Sequence, residues 1–304
     1  MRRRDKHGWV MIKPALLLSL SLPVAAASAA PVQAPPTVAV AAQQTAPARL
    51  ALASRPDVRS HSFYVFDEST ASVLAARNER VAVPVASITK LMTALVVLDA
   101  GQSMQQTLTI TADDVRGTAG NSSRLPVGAR LTREDLLRLA LMSSENRAAH
   151  ALCRNYPKGL AACVKAMNNK AAGLHMATAR FVDPTGLSSG NVASAADLAK
   201  LVIASAANPQ ISAFSTAARH TVTVNRRAIE FRNTNLLVDN PSWQVDVQKT
   251  GYIAEAGRCL VMQTVIDGRA VVIVLLNSWG KYTRIADAKR IRTWMETQTR
   301  VAAL

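Results

Sequence analysis

The chain has 304 residues, 49% of them apolar and 4% aromatic, with a formal charge of +16. That length allows one sizeable domain or two small ones. His61, His150, His175 and His220 show no His-x-x-x-His spacing, which argues against a metal site, and no cofactor is implied.

Arg2, Arg3, Arg4, Lys6 and Lys13 form a basic start, residues 15–22 a short apolar core, and Ala27-Ser28-Ala29 a small-residue cleavage site. This predicts a secretory signal over residues 1–29. The apolar run is too short to span a bilayer, so no transmembrane segment is expected after cleavage. Losing five basic residues and one acidic one there takes the charge from +16 to +12. An exported basic protein, expected in the periplasm, has an anionic wall polymer or surface as its natural partner, and no nucleic acid. Residues 30–56, rich in Ala, Pro, Gln and Val, read as a disordered tether. One domain is predicted over 57–304, with a helical insert over about 100–215.

The aromatic, β-rich residues 61–66, the polar residues 67–70 and the apolar residues 71–75 predict a hairpin. The run from Pro84 to Gly101 then reads as one helix, apolar on nearly every side and therefore buried. Ser87 falls in its first turn, with Lys90 three residues on and on the same face. Burial disfavours a charged lysine, and a neutral amine beside a serine can take its proton. Ser-x-x-Lys also arises by chance about once in a chain of this size, so the reading depends on partners downstream.

Residues 107–130 hold short β-like pieces and turn residues, among them Gly117, Gly120, Asn121 and Gly128. Thr132 caps a helix with Asp135 three residues later; the helix stops at Ser143-Ser144-Glu145-Asn146. Further helices are expected over 147–155 and 160–172, with Asp183-Pro184-Thr185-Gly186 as a turn and Ser194 capping a helix to about 206. His150 reads as a partly exposed structural residue, and Asp113-Asp114 as a solvated or capping pair. Residues 221–224, 245–249, 259–266 and 270–276 read as strands, with Asp267-Gly268 a hairpin turn. A last helix over about 283–298 puts Ile285, Ala288, Ile291, Trp294 and Met295 on one face. Strands, helices, strands and a final helix make an α+β pattern, with one mainly antiparallel sheet drawing on both ends of the domain. Cys153 and Cys163 are the candidate disulfide pair among three cysteines, although small buried thiols fit the residues as well.

Three motifs stand in order: Ser87-Ile88-Thr89-Lys90, Ser144-Glu145-Asn146 after a buried helix, and Lys249-Thr250-Gly251 closing a strand-like run. Together they are the signature of penicillin-recognising serine enzymes. The sequence resembles the low-molecular-weight penicillin-binding proteins, the D-alanyl-D-alanine carboxypeptidase and endopeptidase group, from about residue 58 onward. Asp183-Pro184-Thr185-Gly186-Leu187 is similar to that group's helical-domain signature. Ser-Glu-Asn, and a chain that stops after one helix without a further β-rich domain, resemble the endopeptidase subgroup.

The resemblance implies a β-lactamase/transpeptidase-like fold with the active site between the sheet and the helical part. It also implies an acyl-enzyme on Ser87, Lys90 as proton acceptor, and Ser144 as proton relay. Lys249, Thr250, Gly251 and Asn146 would bind substrate, with Lys249 as a second cation depressing the Lys90 amine. The backbone N–H groups of Ser87 and Tyr252 would form an oxyanion hole. Peptidoglycan peptide stems are the expected substrate and β-lactams the expected covalent inhibitors. The alternatives are a D,D-carboxypeptidase, a β-lactamase, for which no Glu-x-x-Leu-Asn segment is found between Asn146 and Lys249, and a non-catalytic wall-binding protein.

Overall fold

The computed structural model describes residues 55–118 and 122–302. The signal expected over 1–29 and all of the 30–56 tether except Arg55 and Pro56 lie outside the described residues, as do Gly120 and Asn121. Pro56, at the end of that tether, is already buried. No helix among the described residues is long and apolar enough to cross a membrane.

The hairpin forms as β1 (Ser62–Asp67) and β2 (Ser72–Arg77), followed by the short β3 (Val83–Pro84). The central run departs from expectation. Pro84 belongs to β3, Ser87 to a separate 3-10 turn (Ala86–Ile88), and the α-helix α1 covers only Thr89–Asp99. The tighter winding still stacks residues three apart, so Ser87 and Lys90 stay together. β4 (Thr107–Thr109), α2 (Ala112–Arg116) and β5 (Arg130–Thr132) come next. The helical block continues with α3 (Arg133–Met142), α4 (Asn146–Arg154) and α5 (Gly159–Gly173). After β6 (Val192–Ala193), which pairs with β3, come α6 (Ala195–Ala206) and α7 (Pro209–Ser215).

The predicted caps hold: Thr132 accepts from Asp135 N–H, and Ser194 from Asp197 N–H. Helices α2 and α7 and the strand at residues 227–232 were not expected. The signal for α7 was present, since Asn208 caps it and Pro209 is its first residue. β7 (Arg219–Val224) and β8 (Arg227–Arg232) form a hairpin through Asn225 and Arg226, both left-handed. β9 (Gln244–Ile253), β10 (Gly257–Ile266) and β11 (Arg269–Ser278) precede the C-terminal helix α8 (Thr283–Ala302).

The main sheet runs β2-β1-β11-β10-β9, antiparallel at every junction. The N-terminal hairpin thus joins the C-terminal strands, as the sequence pattern implied, and β9 is left as an edge. Alternation along the strands separates two cores. Cys259, Val261, Val272 and Val274 join the core shared with the helical block, which meets these strands chiefly through α6. Leu260, Met262, Ile273 and Leu275 face Ala288, Ile291 and Met295 of α8.

Cys153 and Cys163 are joined in a disulfide between α4 and α5, and Cys259 is a buried free thiol that burial pushes up to about 11. His150 is not partly exposed: it is buried, with Nδ1 2.8 Å from Asp114 Oδ1. Asp114 caps α2 through Thr111 N–H and also receives Arg154 Nε and Nη2 at 3.0 and 2.9 Å. Its neighbour Asp113 is exposed, so the pair divides into one capping residue and one solvated one. Gly117 permits this packing, because a Cβ there would lie 2.2 Å from His150 Nε2. Burial would raise the Asp114 carboxyl, but the bonds from His150, Arg154 and Thr111 outweigh it and hold it at about 2.

Removing this carboxylate leaves a cation and an imidazole unpaired, so Asp114→Ala should cost about 3 kcal/mol in urea unfolding. The carboxylate's pH-linked stabilisation is fully present above its ordinary value of 3.8 and is lost as pH falls through about 2. The gap between wild type and variant should therefore narrow across that window.

Candidate active site

The three motifs converge on a crevice of about 240 Å3 between the sheet edge and the helical block, lined by Ser87, Ser144, Asn146, Thr250, Gly251 and Tyr252 among others. Each arrives on a different element. Ser87 sits in the 3-10 turn, Ser144 in the α3–α4 connection, Asn146 at the first position of α4, and residues 249–252 inside β9. The Lys249-Thr250-Gly251 motif does not close its strand, because β9 continues to Ile253. Ala86 (φ +48°) and Ser144 (φ +62°) are held in the left-handed region, which side chains other than glycine rarely adopt. Such strain persists only where the surroundings over-determine it.

Lys90 is the buried centre. Its Nζ lies 2.8 Å from Ser87 Oγ, 2.7 Å from Asn146 Oδ1 and 2.6 Å from the Thr185 carbonyl, and the residue is 1% exposed. Burial pushes this amine down to about 7, against the opposing pull of Asp183 and Glu145. Desolvation is the leading cause, and the two buried amines, Lys90 and Lys249, also disfavour each other's charge. Lys249 is itself fully buried and held well below its usual range by burial, then by Lys90 and Arg284.

The Thr185 carbonyl is a partner that sequence reasoning missed. Asp183 folds the turn that delivers it, accepting from Thr185 N–H and Oγ1 at 2.6 Å each and from Gly186 and Ser188 N–H. The Asp-Pro-Thr-Gly pattern was visible, but no side chain marks a carbonyl as a ligand. Asn191 and Thr93 stitch this loop to α1: Asn191 Nδ2 donates to Thr89 Oγ1 at 3.1 Å, and Thr93 Oγ1 to the Pro184 carbonyl at 2.7 Å. Glu145 caps α4 and takes the Ser123 hydroxyl at 2.6 Å.

On the β9 side, Thr250 Oγ1 is 2.6 Å from Thr234 Oγ1, and Thr234 N–H donates to the Met142 carbonyl. Arg284 of α8 also lines the crevice; among the described residues its Nε meets no acceptor. Thr234 and Arg284 carry no motif that would have found them. Lys249 is buried behind the crevice wall, its Nζ donating to the Thr250 carbonyl at 2.9 Å. Gly251 lines the crevice and also permits close approach of the Ser87 turn: a Cβ would lie 3.0 Å from Ala86 Cβ and 3.1 Å from Ser87 N. Gly186 (φ +82°) abuts the same turn, where a Cβ would lie 1.9 Å from the Ala86 carbonyl oxygen.

Two glycines thus clamp the turn that carries Ser87. Gly251→Ala should slow labelling of Ser87 by fluorescent penicillin about tenfold through a displacement of a few tenths of an ångström. Gly186→Ala should be the more damaging, lowering both the labelling rate and the melting temperature.

The chain is similar over most of its length to proteins of known kind. It is 46% identical over 263 residues to a D-alanyl-D-alanine endopeptidase of Pseudomonas aeruginosa, covering 86% of this chain and 85% of that protein. It is 45% identical over 247 residues to a D-alanyl-D-alanine endopeptidase of Escherichia coli, covering 81% and 80%. Its fold superimposes on the crystal structure of a Streptomyces DD-transpeptidase with a TM-score of 0.74 at 25% identity, covering 80% of this chain and 98% of that one. Residues 50–280 match the model of the D-alanyl-D-alanine carboxypeptidase family, Peptidase S11, and with the three motifs gathered around one buried amine the chain belongs to that family.

Proposed function

We propose that this protein is a serine D,D-endopeptidase that hydrolyses D-alanyl-diaminopimelate cross-links in peptidoglycan through an acyl-enzyme on Ser87. The observation that carries this is the environment of Lys90. Two of its three contacts, Asn146 Oδ1 and the Thr185 carbonyl, can only accept hydrogen bonds. A neutral amine donates its two protons to them, and its lone pair then faces Ser87 Oγ. The preference for cross-links rests on the two relatives at 45–46% identity, both named endopeptidases.

The steps follow from the atoms. Ser87 Oγ attacks the D-alanyl carbonyl carbon while its proton passes to Lys90 Nζ. The backbone N–H groups of Ser87 and Tyr252 receive the oxyanion, each worth about 3 kcal/mol in the transition state. Collapse breaks the C–N bond, and the departing amine takes a proton relayed from Lys90 through Ser144. Thr250 and Arg284 hold the carboxylate beside the scissile bond, with the Lys249 amine buried behind the strand. Water then hydrolyses the ester by the same proton path in reverse.

We assign residues 1–29 to an export signal, 30–56 to a tether and 57–304 to the catalytic domain, acting in the periplasm. The basic composition supports this, since the wall polymer carries carboxylates.

Purified protein should release monomers from cross-linked muropeptide dimers, and Ser87→Ala should reduce that release by roughly 10^4-fold or more. Absence of release by the wild type, with terminal D-alanine lost from pentapeptides instead, would mark it as a carboxypeptidase. The acylation rate should rise with pH through about 7 and then level, because only the neutral Lys90 amine accepts the proton. A rate independent of pH between about 6 and 8 would remove Lys90 from that role.

A further inference from the structure

Beside the crevice lies a second recess of about 350 Å3, and Tyr252 lines both. Tyr252 and Arg258 reach it from paired positions on β9 and β10, and Trp279 and Lys281 from the segment between β11 and α8. Local backbone geometry builds it. Gly257 (φ +61°), Asn277 (φ +51°) and Gly280 (φ +79°) are all left-handed, and a Cβ on Gly257 would lie 2.6 Å from Asn277 Oδ1. The pairing of β10 with β11 is irregular between Arg258 and Leu260. Irregularities of this kind re-aim side chains beside active sites.

The surface chemistry is equally particular. Trp279 is 87% exposed, Tyr282 58% and Tyr252 57%, and these are the exposed Trp, Tyr and Phe side chains among the described residues. Arg258 stacks on Tyr252 at 4.6 Å and Lys281 on Tyr282 at 5.4 Å. The lining holds two cations and no carboxylate; Glu255, in the adjoining turn, is not part of it. Arg284, three residues beyond Lys281, lines the adjoining crevice. Neither the nucleophile nor its proton path uses any of Arg258, Trp279 or Lys281.

We propose that this recess binds the carboxylate-bearing peptide strand that departs when a cross-link is cut. This rests on the endopeptidase reading above. A carboxypeptidase expels a single D-alanine, which needs nothing beyond the crevice. A cross-link expels a whole stem peptide, whose chain continues past the carboxylate held at Thr250 and Arg284. Arg258 and Lys281 meet its further carboxylates, and the aromatic faces cover its aliphatic stretches.

The test uses Trp279→Ala and Lys281→Ala in the full chain, with three readouts. The expected result is a drop of about tenfold in kcat/KM on cross-linked dimers, carried by KM, while penicillin acylation stays within about twofold of wild type. Unchanged dimer kinetics overturn the proposal, and so does an equal loss in both assays, which would mean the segment merely supports the crevice. Dimer binding to Ser87→Ala, with and without each substitution, is measured as well. Weakened binding there sustains the recess even if the wild type cuts no cross-link, so the two readings fail separately. Sugar-free peptide dimers form the last arm: if the loss appears only with disaccharide-bearing dimers, the recess reads glycan and the peptide assignment falls.

Discussion

One buried amine organises this molecule. Lys90 sits in the second position of a helix that is buried on nearly every side, where an isolated ammonium would be costly. Two carbonyl oxygens and one hydroxyl meet it, each from a different part of the chain. Remove the burial and the amine becomes an ordinary charged lysine. Remove either carbonyl and the amine loses one of the partners that fix its place beside Ser87.

Holding these groups together requires close approach of backbone, and much of the local structure serves that end. Gly186 and Gly251 bring a loop and a strand against the Ser87 turn. Asp183 ties the loop that presents the Thr185 carbonyl, and Asn191 and Thr93 fasten it to α1. On the opposite side, Glu145 caps α4 so that Asn146 points inward, and the Cys153–Cys163 disulfide anchors the far end of α4 to α5. Left-handed Ala86 and Ser144 are tolerated because these surroundings leave the chain no alternative.

The position of the crevice follows from the sheet. β9 is an edge strand, so part of its backbone is free to face a ligand rather than another strand. The helical block rises against one face of the sheet and α8 covers the other. Ser87, Lys90 and Asn146 therefore come from the first layer, and Arg284 from the last. On the α8 side, Arg284 lines the crevice, and Lys281 and Trp279 line the recess beside it.

Much of this was legible in the sequence. Apolar periodicity gave the long helices, Thr132 and Ser194 marked their starts, and Asp267-Gly268 marked the last hairpin. Those signals are local, since a cap or a tight turn is decided by residues within one turn of each other. The three motifs named the chemistry because each is short and their order is fixed. What the sequence could not supply were contacts whose chemistry belongs to no side chain or whose partners lie far away. The Thr185 carbonyl, 95 residues from Lys90, leaves no mark on composition. Thr234 and Arg284 become crevice residues only once the sheet is assembled. Lys249 and Gly251 kept their places in a motif, but only folding showed that one is buried behind the crevice wall and that the other also abuts the Ser87 turn. Local residue order determined which polar groups each element can present. Packing alone decided which of them are dry, how near they stand, and therefore which carry a charge.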